Sequence, residues 1–402
     1  MPPSPENRSL DWLEEELSAL DRAGLRRRLT RRESAQAATI GLDGRTLVNF
    51  SSNDYLGMAA DPRVVAAARD AVDAEGWGAG ASPLITGRSQ SHAELETRIA
   101  RFKRTEAALL FPTGFAANAG TIPALVGQGD AIFADAKNHA SLIDGCRLSA
   151  ARRFVYPHND AAALAELLQS CGSFRRRLIV SDTLFSMDGD LAPLAELANL
   201  ADRHDAMLMV DEAHATGVFG GGGRGLVEQA GVERHVAVRV GTLSKAVGCA
   251  GGFVAGSQQL IDWLANKARS YVFSTAGPAA NMAAAMAAFD AIESAPQRGA
   301  ELLERAAWLR RRLADLGWET GGSASQIVPI LVGDPGEAMR LAGRLRDVGL
   351  MVPAIRPPSV PVGESLLRVS LCYGHQPEQL ELLLSRLGPA PQAMPGRTDY
   401  SG

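Results

Sequence analysis

Lys245 stands in Gly241-Thr242-Leu243-Ser244-Lys245-Ala246, directly after the apolar run Val236-Ala237-Val238-Arg239-Val240. The chain holds four lysines (Lys103, Lys137, Lys245, Lys267) against thirty-seven arginines, so a sequence that meets nearly every need for positive charge with arginine has placed an ammonium at a strand end. Unlike arginine, lysine can lose its proton and form an imine. A second apolar run, Ala206-Met207-Leu208-Met209-Val210, ends in Asp211-Glu212-Ala213-His214. Alone, Asp211 and His214 read as a satisfied carboxylate and a core histidine. With Lys245 in the same crevice they suit pyridoxal 5′-phosphate: lysine for the covalent bond, carboxylate against the pyridinium nitrogen so that the ring absorbs electrons released at a substrate α-carbon.

Other residues fit the same site, each with a plainer alternative. Thr113-Gly114-Phe115-Ala116-Ala117-Asn118 follows the run Ala107–Phe111 and opens a helix, where free backbone N–H groups cradle a phosphate; the alternative is an ordinary capped helix. Thr242 and Ser244 add hydroxyl donors, or serve a turn. His139, after Ala131-Ile132-Phe133-Ala134-Asp135, can stack on a flat ring or be a polar loop residue. Arg368, inside Ser365-Leu366-Leu367-Arg368-Val369-Ser370-Leu371, needs an anion, either a substrate carboxylate or a structural ion-pair partner. Asp-Glu-Ala-His also matches a helicase box, but no lysine in the chain follows a glycine, so the phosphate loop that box requires is absent. Gly220–Gly225 satisfies GxGxxG without a strand before it and a helix after it near the start of a βαβ unit, and reads as a flexible loop.

The elements that must position these residues follow from periodicity. From about residue 60 to 275, helical stretches alternate with short apolar runs (107–111, 131–134, 178–181, 207–210, 236–240, 252–255), which predicts an α/β fold with a mostly parallel sheet covered by helices on both faces and ligands at the carboxyl ends of its strands. Residues 9–30 carry a helical pattern with Leu10, Trp12, Leu13, Leu17 and Leu20 on one side and Arg26-Arg27-Arg28 at its end. After an Ala-rich helix near 278–292, helices around 298–316 and 336–348 and strands near 326–332 and 365–371 predict a smaller α+β lobe. The expected division is an N-terminal helix and arm (1–58), a large cofactor-binding domain (59–290), a small C-terminal α+β domain (291–388) and a disordered tail (389–402).

Net charge of −4 and a pI near 6.0, with the arginines scattered, predict no nucleic-acid partner. The N-terminus lacks the apolar core of a signal peptide, and the most apolar stretch is interrupted by Pro278, Asn281 and Asp290, which argues against a membrane span. Four scattered cysteines indicate neither a zinc site nor a disulfide framework. The expectation is a soluble cytoplasmic protein with no metal.

Several ordered blocks, namely Ser51–Gly57, Asn138–Gly145, Phe185–Leu194, Asp211–Gly220 and Gly241–Lys245, make residues 10–388 resemble the α-oxoamine synthase family of fold type I pyridoxal-phosphate transferases. The resemblance implies that Lys245 carries the cofactor, Asp211 pairs with the pyridinium, His214 reaches the ring hydroxyl, His139 stacks on the ring and Ser186 lies by the ring oxygen. It implies that the Gly114 and Phe115 amides hold the phosphate, beside the candidate donors Thr242 and Ser244, that Asn53 and Arg368 hold the amino-acid carboxylate, and that Arg26 lies toward the acyl substrate. It further implies a homodimer with the active site at the interface, where Thr275 contacts the partner's phosphate. Asp-x-Ala-Pro-Leu after Ser-Met-Asp-Gly, and Thr-Leu-Ser-Lys, favour the branch that condenses L-alanine with a pimeloyl thioester, carried on CoA or acyl carrier protein, over glycine-using branches; a non-enzymatic protein of the same fold is the remaining alternative. The chain departs from the family pattern at Asp182 (glutamate is usual), Pro83 (arginine), Phe273 (tyrosine) and Leu366 (arginine), which bears on acyl-chain specificity.

Overall fold

The computed structural model describes residues 8–391. Its centre is a seven-stranded sheet made of β3 (Ala107–Phe111), β4 (Ala131–Asp135), β5 (Arg152–Tyr156), β6 (Arg177–Asp182), β7 (Met207–Asp211), β8 (Val238–Thr242) and β9 (Gly252–Gly256), in the order β3-β9-β8-β7-β6-β4-β5. Only β9 runs antiparallel to its neighbours. Side chains of a strand alternate between faces. Leu178 and Val180 therefore join an apolar layer with Met209, Val238 and Val240, while Ile179 faces the opposite layer with Leu208 and Val210. Both layers are closed by helices, as a buried parallel sheet requires.

β1 (Thr39–Leu42) and β2 (Arg45–Asn49) form a hairpin, and β2 pairs in parallel with β11 (Leu350–Met351) from the far end of the chain. The N-terminal arm thus shares a sheet with the C-terminal region. There β13 (Ser365–Ser370) lies between β10 (Ile327–Gly333) and β12 (Ala354–Ile355), all antiparallel. Helices Gln297–Asp315 and Pro335–Asp347 occupy the stretches where helical periodicity was expected, and Pro377–Leu387 forms a further helix that was not anticipated. The Ala-rich segment is a helix over Ala279–Ser294. No helix among the described residues is long and apolar enough to cross a membrane.

Three expectations change. The N-terminal helix spans only Trp12–Arg22, because Gly24 takes a positive φ of 65° just after it, and none of its residues is buried. β5 was not anticipated, since of its five residues only Tyr156 is buried and the apolar signal is correspondingly weak. The run Gly220–Gly225 is tied down rather than flexible: the Glu228 carboxylate accepts from Gly222 N and Arg224 N, and Gly217 N donates to Gly223 O. Gly225 sits at φ 119°, where a Cβ would come 2.2 Å from Glu212 Oε1. Of the expected tail, Ala390 N still donates to Leu316 O at 2.8 Å, and residues 392–402 lie outside the described residues.

Candidate active site

The carboxyl ends of β4, β6, β7 and β8 carry Asp135, Asp182, Asp211 and Thr242, and the site is built on them. β6 and β7 are in register with Asp182 opposite Asp211. Asp211 is buried and doubly held, its Oδ2 accepting from Asn118 Nδ2 at 2.6 Å and its Oδ1 from Ala213 N at 2.8 Å. Burial and the neighbouring Asp211 charge raise Asp182 well above the usual carboxylate range, and its Oδ2 accepts from His139 N at 2.6 Å. Two carboxylates side by side, one fixed in position and one inclined to keep its proton, are placed to balance a cation.

Lys245 supplies one. Three of the four lysines are already engaged: Lys103 is buried in a 2.9 Å pair with Glu212, Lys137 lies 2.8 Å from Asp188, and the Lys267 ammonium sits over the Trp263 ring. The Lys245 ammonium alone has no hydrogen bond, ion pair or ring contact among the described residues. Burial lowers its pKa to about 8, with Arg368 helping and Asp211 and Asp182 opposing. It is therefore the lysine able to act as an amine near neutral pH.

His214 is buried with Nδ1 2.6 Å from the Tyr55 hydroxyl, and its carbonyl accepts from Gln326 Nε2. Burial, then the positive groups Lys245, Arg368 and His139, keep its pKa well below the usual value, so the ring is neutral. His139 caps the helix Ala140–Leu148, with Nδ1 accepting from Ser141 N. At the helix Gly114–Leu125, Thr113 takes the Ala116 and Ala117 amides, leaving those of Gly114 and Phe115 at the open end. Thr242 packs against Gly114, and its Oγ1 lies 2.7 Å from the exposed Ser244 hydroxyl. A Cβ on Gly252 would fall 2.5 Å from Gly114 N, so glycine there lets β9 pass beneath the helix end.

Arg368 is buried in β13 with no carboxylate within ion-pair distance among the described residues, which removes the structural salt bridge as its explanation. Nε donates to the Ser186 carbonyl at 2.5 Å, and Nη1 to Asn53 Oδ1 at 3.2 Å and Ser370 Oγ at 2.7 Å. None of these bonds uses Nη2, so the fork retains capacity for an anion. Two residues named from the sequence stand apart. Arg26 is exposed and pairs with Asp21 at 2.5 Å, and Thr275 is exposed with no hydrogen bond to the others. Asn118, Tyr55 and Gln326 are additions: Asn118 and Tyr55 lay inside motifs already singled out, but only the fold reveals their partners.

This donor set fits pyridoxal 5′-phosphate: free amides and hydroxyls for the phosphate, an unpartnered amine, a fixed carboxylate for a ring cation and a neutral histidine beside it. The match to the family of class I and II aminotransferases covers residues 45–387, and the chain belongs to that family. Within it, the chain is 50% identical over 379 residues to an 8-amino-7-oxononanoate synthase of Anaeromyxobacter dehalogenans, covering 94% of this chain and 95% of that one. It is 48% identical over 370 residues to the enzyme of the same name from Geobacter metallireducens, covering 91% and 94%. Among solved structures, the serine palmitoyltransferase of Sphingomonas wittichii superposes with a TM-score of 0.90 at 36% identity, covering 95% and 97%. The resemblance to α-oxoamine synthases therefore extends over the fold as well as the motifs.

Proposed function

We propose that the chain uses pyridoxal 5′-phosphate to condense L-alanine with a pimeloyl thioester, giving 8-amino-7-oxononanoate, CO₂ and free thiol. The observation that carries the reading is Lys245, an amine without a partner facing the clamped Asp211. When bound, the cofactor supplies a covalent attachment for the substrate amino group and an electron sink for the charge left at Cα. Asp211, fixed by Asn118 and the Ala213 amide, holds a proton on the ring nitrogen by its negative charge. Lys245, with its pKa near 8, takes the Cα proton of alanine and returns one to product. Arg368 binds the alanine carboxylate through its open edge, with Asn53 beside it, and so fixes which bond at Cα is aligned for cleavage. The Gly114 and Phe115 amides with Thr242 and Ser244 anchor the phosphate. With the cofactor bound, His139 would cover the ring face and Ser186 and His214 would flank the ring oxygen, while the family resemblance puts Arg26 toward the acyl substrate.

We further propose a cytoplasmic homodimer in which Thr275 serves the partner's site. Leu10, Trp12 and Leu20 on the arm, and Trp77, Ile85 and Phe273 on the body, are exposed apolar side chains that a second copy would cover. Steady-state rates with alanine and pimeloyl thioester, glycine with acetyl or succinyl thioester, and serine with palmitoyl thioester test the substrate assignment. The first pair is expected to turn over fastest; a faster glycine or serine pair would overturn it.

A further inference from the structure

His158 follows β5 and lies between two carboxylates. Nδ1 is 2.9 Å from Asp135 Oδ1 and Nε2 is 2.8 Å from Asp190 Oδ2. An ionised carboxylate only accepts, so a ring facing two of them needs hydrogen on both nitrogens. Asn159 reinforces the clamp: its amide donates to Asp135 Oδ2 at 2.8 Å, and its Nδ2 to Asp190 Oδ2 at 3.1 Å and Leu191 O at 3.2 Å. The His158 ring stands edge-on to Phe185, with centroids 4.4 Å apart.

Each carboxylate belongs to a segment that carries a site residue. Asp135 Oδ1 also accepts from Lys137 N at 2.8 Å, shaping the turn that leads to His139. Asp190 closes the hairpin after β6, where Phe185 N donates to Asp190 O at 3.1 Å and Leu184 bridges Leu191. On that hairpin the Ser186 carbonyl receives Arg368 Nε. Resting on the reading that Arg368 binds the amino-acid carboxylate, we propose that His158 is a positioning residue: as an imidazolium it ties the His139 turn to the Ser186 hairpin and thereby fixes the Arg368 guanidinium.

The charged groups around His158 are Asp135 from β4 and Asp190 from the hairpin, with an Asp188 carboxylate oxygen within 4.8 Å of the ring. Beyond them stand Lys137, paired with Asp188, and Glu364, 4.0 Å from Lys137. Burial opposes the imidazolium, but Asp135 and Asp190 outweigh it and push the pKa up to about 9. The clamp is thus intact at neutral pH and loosens as pH rises through about 9.

The test uses holoenzyme with His158→Gln, whose one amide group reaches one carboxylate, and Asp190→Asn. The KM for alanine is expected to rise about tenfold in His158→Gln at pH 7.5, the size of one lost charge-assisted bond. The KM for the thioester should stay within about twofold. The ratio of variant to wild-type KM for alanine should fall toward one above pH 9 in His158→Gln, and in Asp190→Asn the KM for alanine should begin to rise at lower pH than in wild type. Nitrogen NMR of ring-labelled holoenzyme should show both His158 nitrogens protonated at pH 7.5. A neutral tautomer, a pH-independent ratio, or an equal loss for both substrates would overturn the proposal. If alanine and pimeloyl thioester prove not to be the substrates, the NMR result still decides the state of His158 by itself.

Discussion

Among single residues, the chemistry depends on which charged groups lack protein partners. Arg368 is buried and gripped by Ser186, Asn53 and Ser370, none of them an anion. Removing it should therefore weaken the ligand that completes its fork and little else. Arg368→Ala is expected to raise the KM for alanine roughly ten- to hundredfold, as loss of a hydrogen bond to a charged group worth about 1.5 to 3 kcal/mol implies, with the thioester KM nearly unchanged. Equal effects on both substrates in steady-state kinetics would place Arg368 outside the amino-acid site. Lys245, Asp211, His214 and Arg368 were legible in the sequence because each is a polar residue at the end or in the middle of an apolar run. Asn118 and Tyr55 were not, because their partners Asp211 and His214 lie 93 and 159 residues away and nothing local marks them.

At the scale of elements, the turn between β13 and the helix Pro377–Leu387 carries a pH-sensitive contact. His375 Nδ1 accepts from Cys372 N at 2.9 Å, the ring stacks on Phe50 at 4.5 Å, and its buried Nε2 has no hydrogen-bond partner. Burial lowers its pKa to about 4. The folded ring stays neutral where the unfolded one, near 6.5, is protonated, so this contact contributes stability above pH 6.5 that is lost as pH falls toward 4. The His375 share is roughly 3 kcal/mol. Urea unfolding at pH 7 and 4.5 should show a shallower loss in His375→Asn than in wild type; parallel losses would assign the effect elsewhere. The strands of the central sheet were legible where both faces are buried, as in β4, β7 and β8. β5 was hidden because only one residue of this edge strand is buried, and β11 and β12 because two residues carry no period.

At the scale of the whole molecule, the arm helix Trp12–Arg22 is amphipathic yet buries nothing, with Trp12 58% and Leu20 41% exposed. Its periodicity was readable, but a single chain provides no surface for it. A partner subunit would, and Leu17→Asp with Leu20→Asp should then shift the molecule toward monomer in sedimentation and lower activity together; a wild-type monomer would contradict the dimer. Of the four lysines, Lys245 is the one we propose carries the cofactor. Holoenzyme reduced with borohydride, digested and mapped by mass spectrometry tests it most directly. A phosphopyridoxyl mass is expected on the peptide containing Lys245, and it should be absent, with turnover lost, in folded Lys245→Ala. A label on Lys103, Lys137 or Lys267, or a fully active Lys245→Ala, would contradict it.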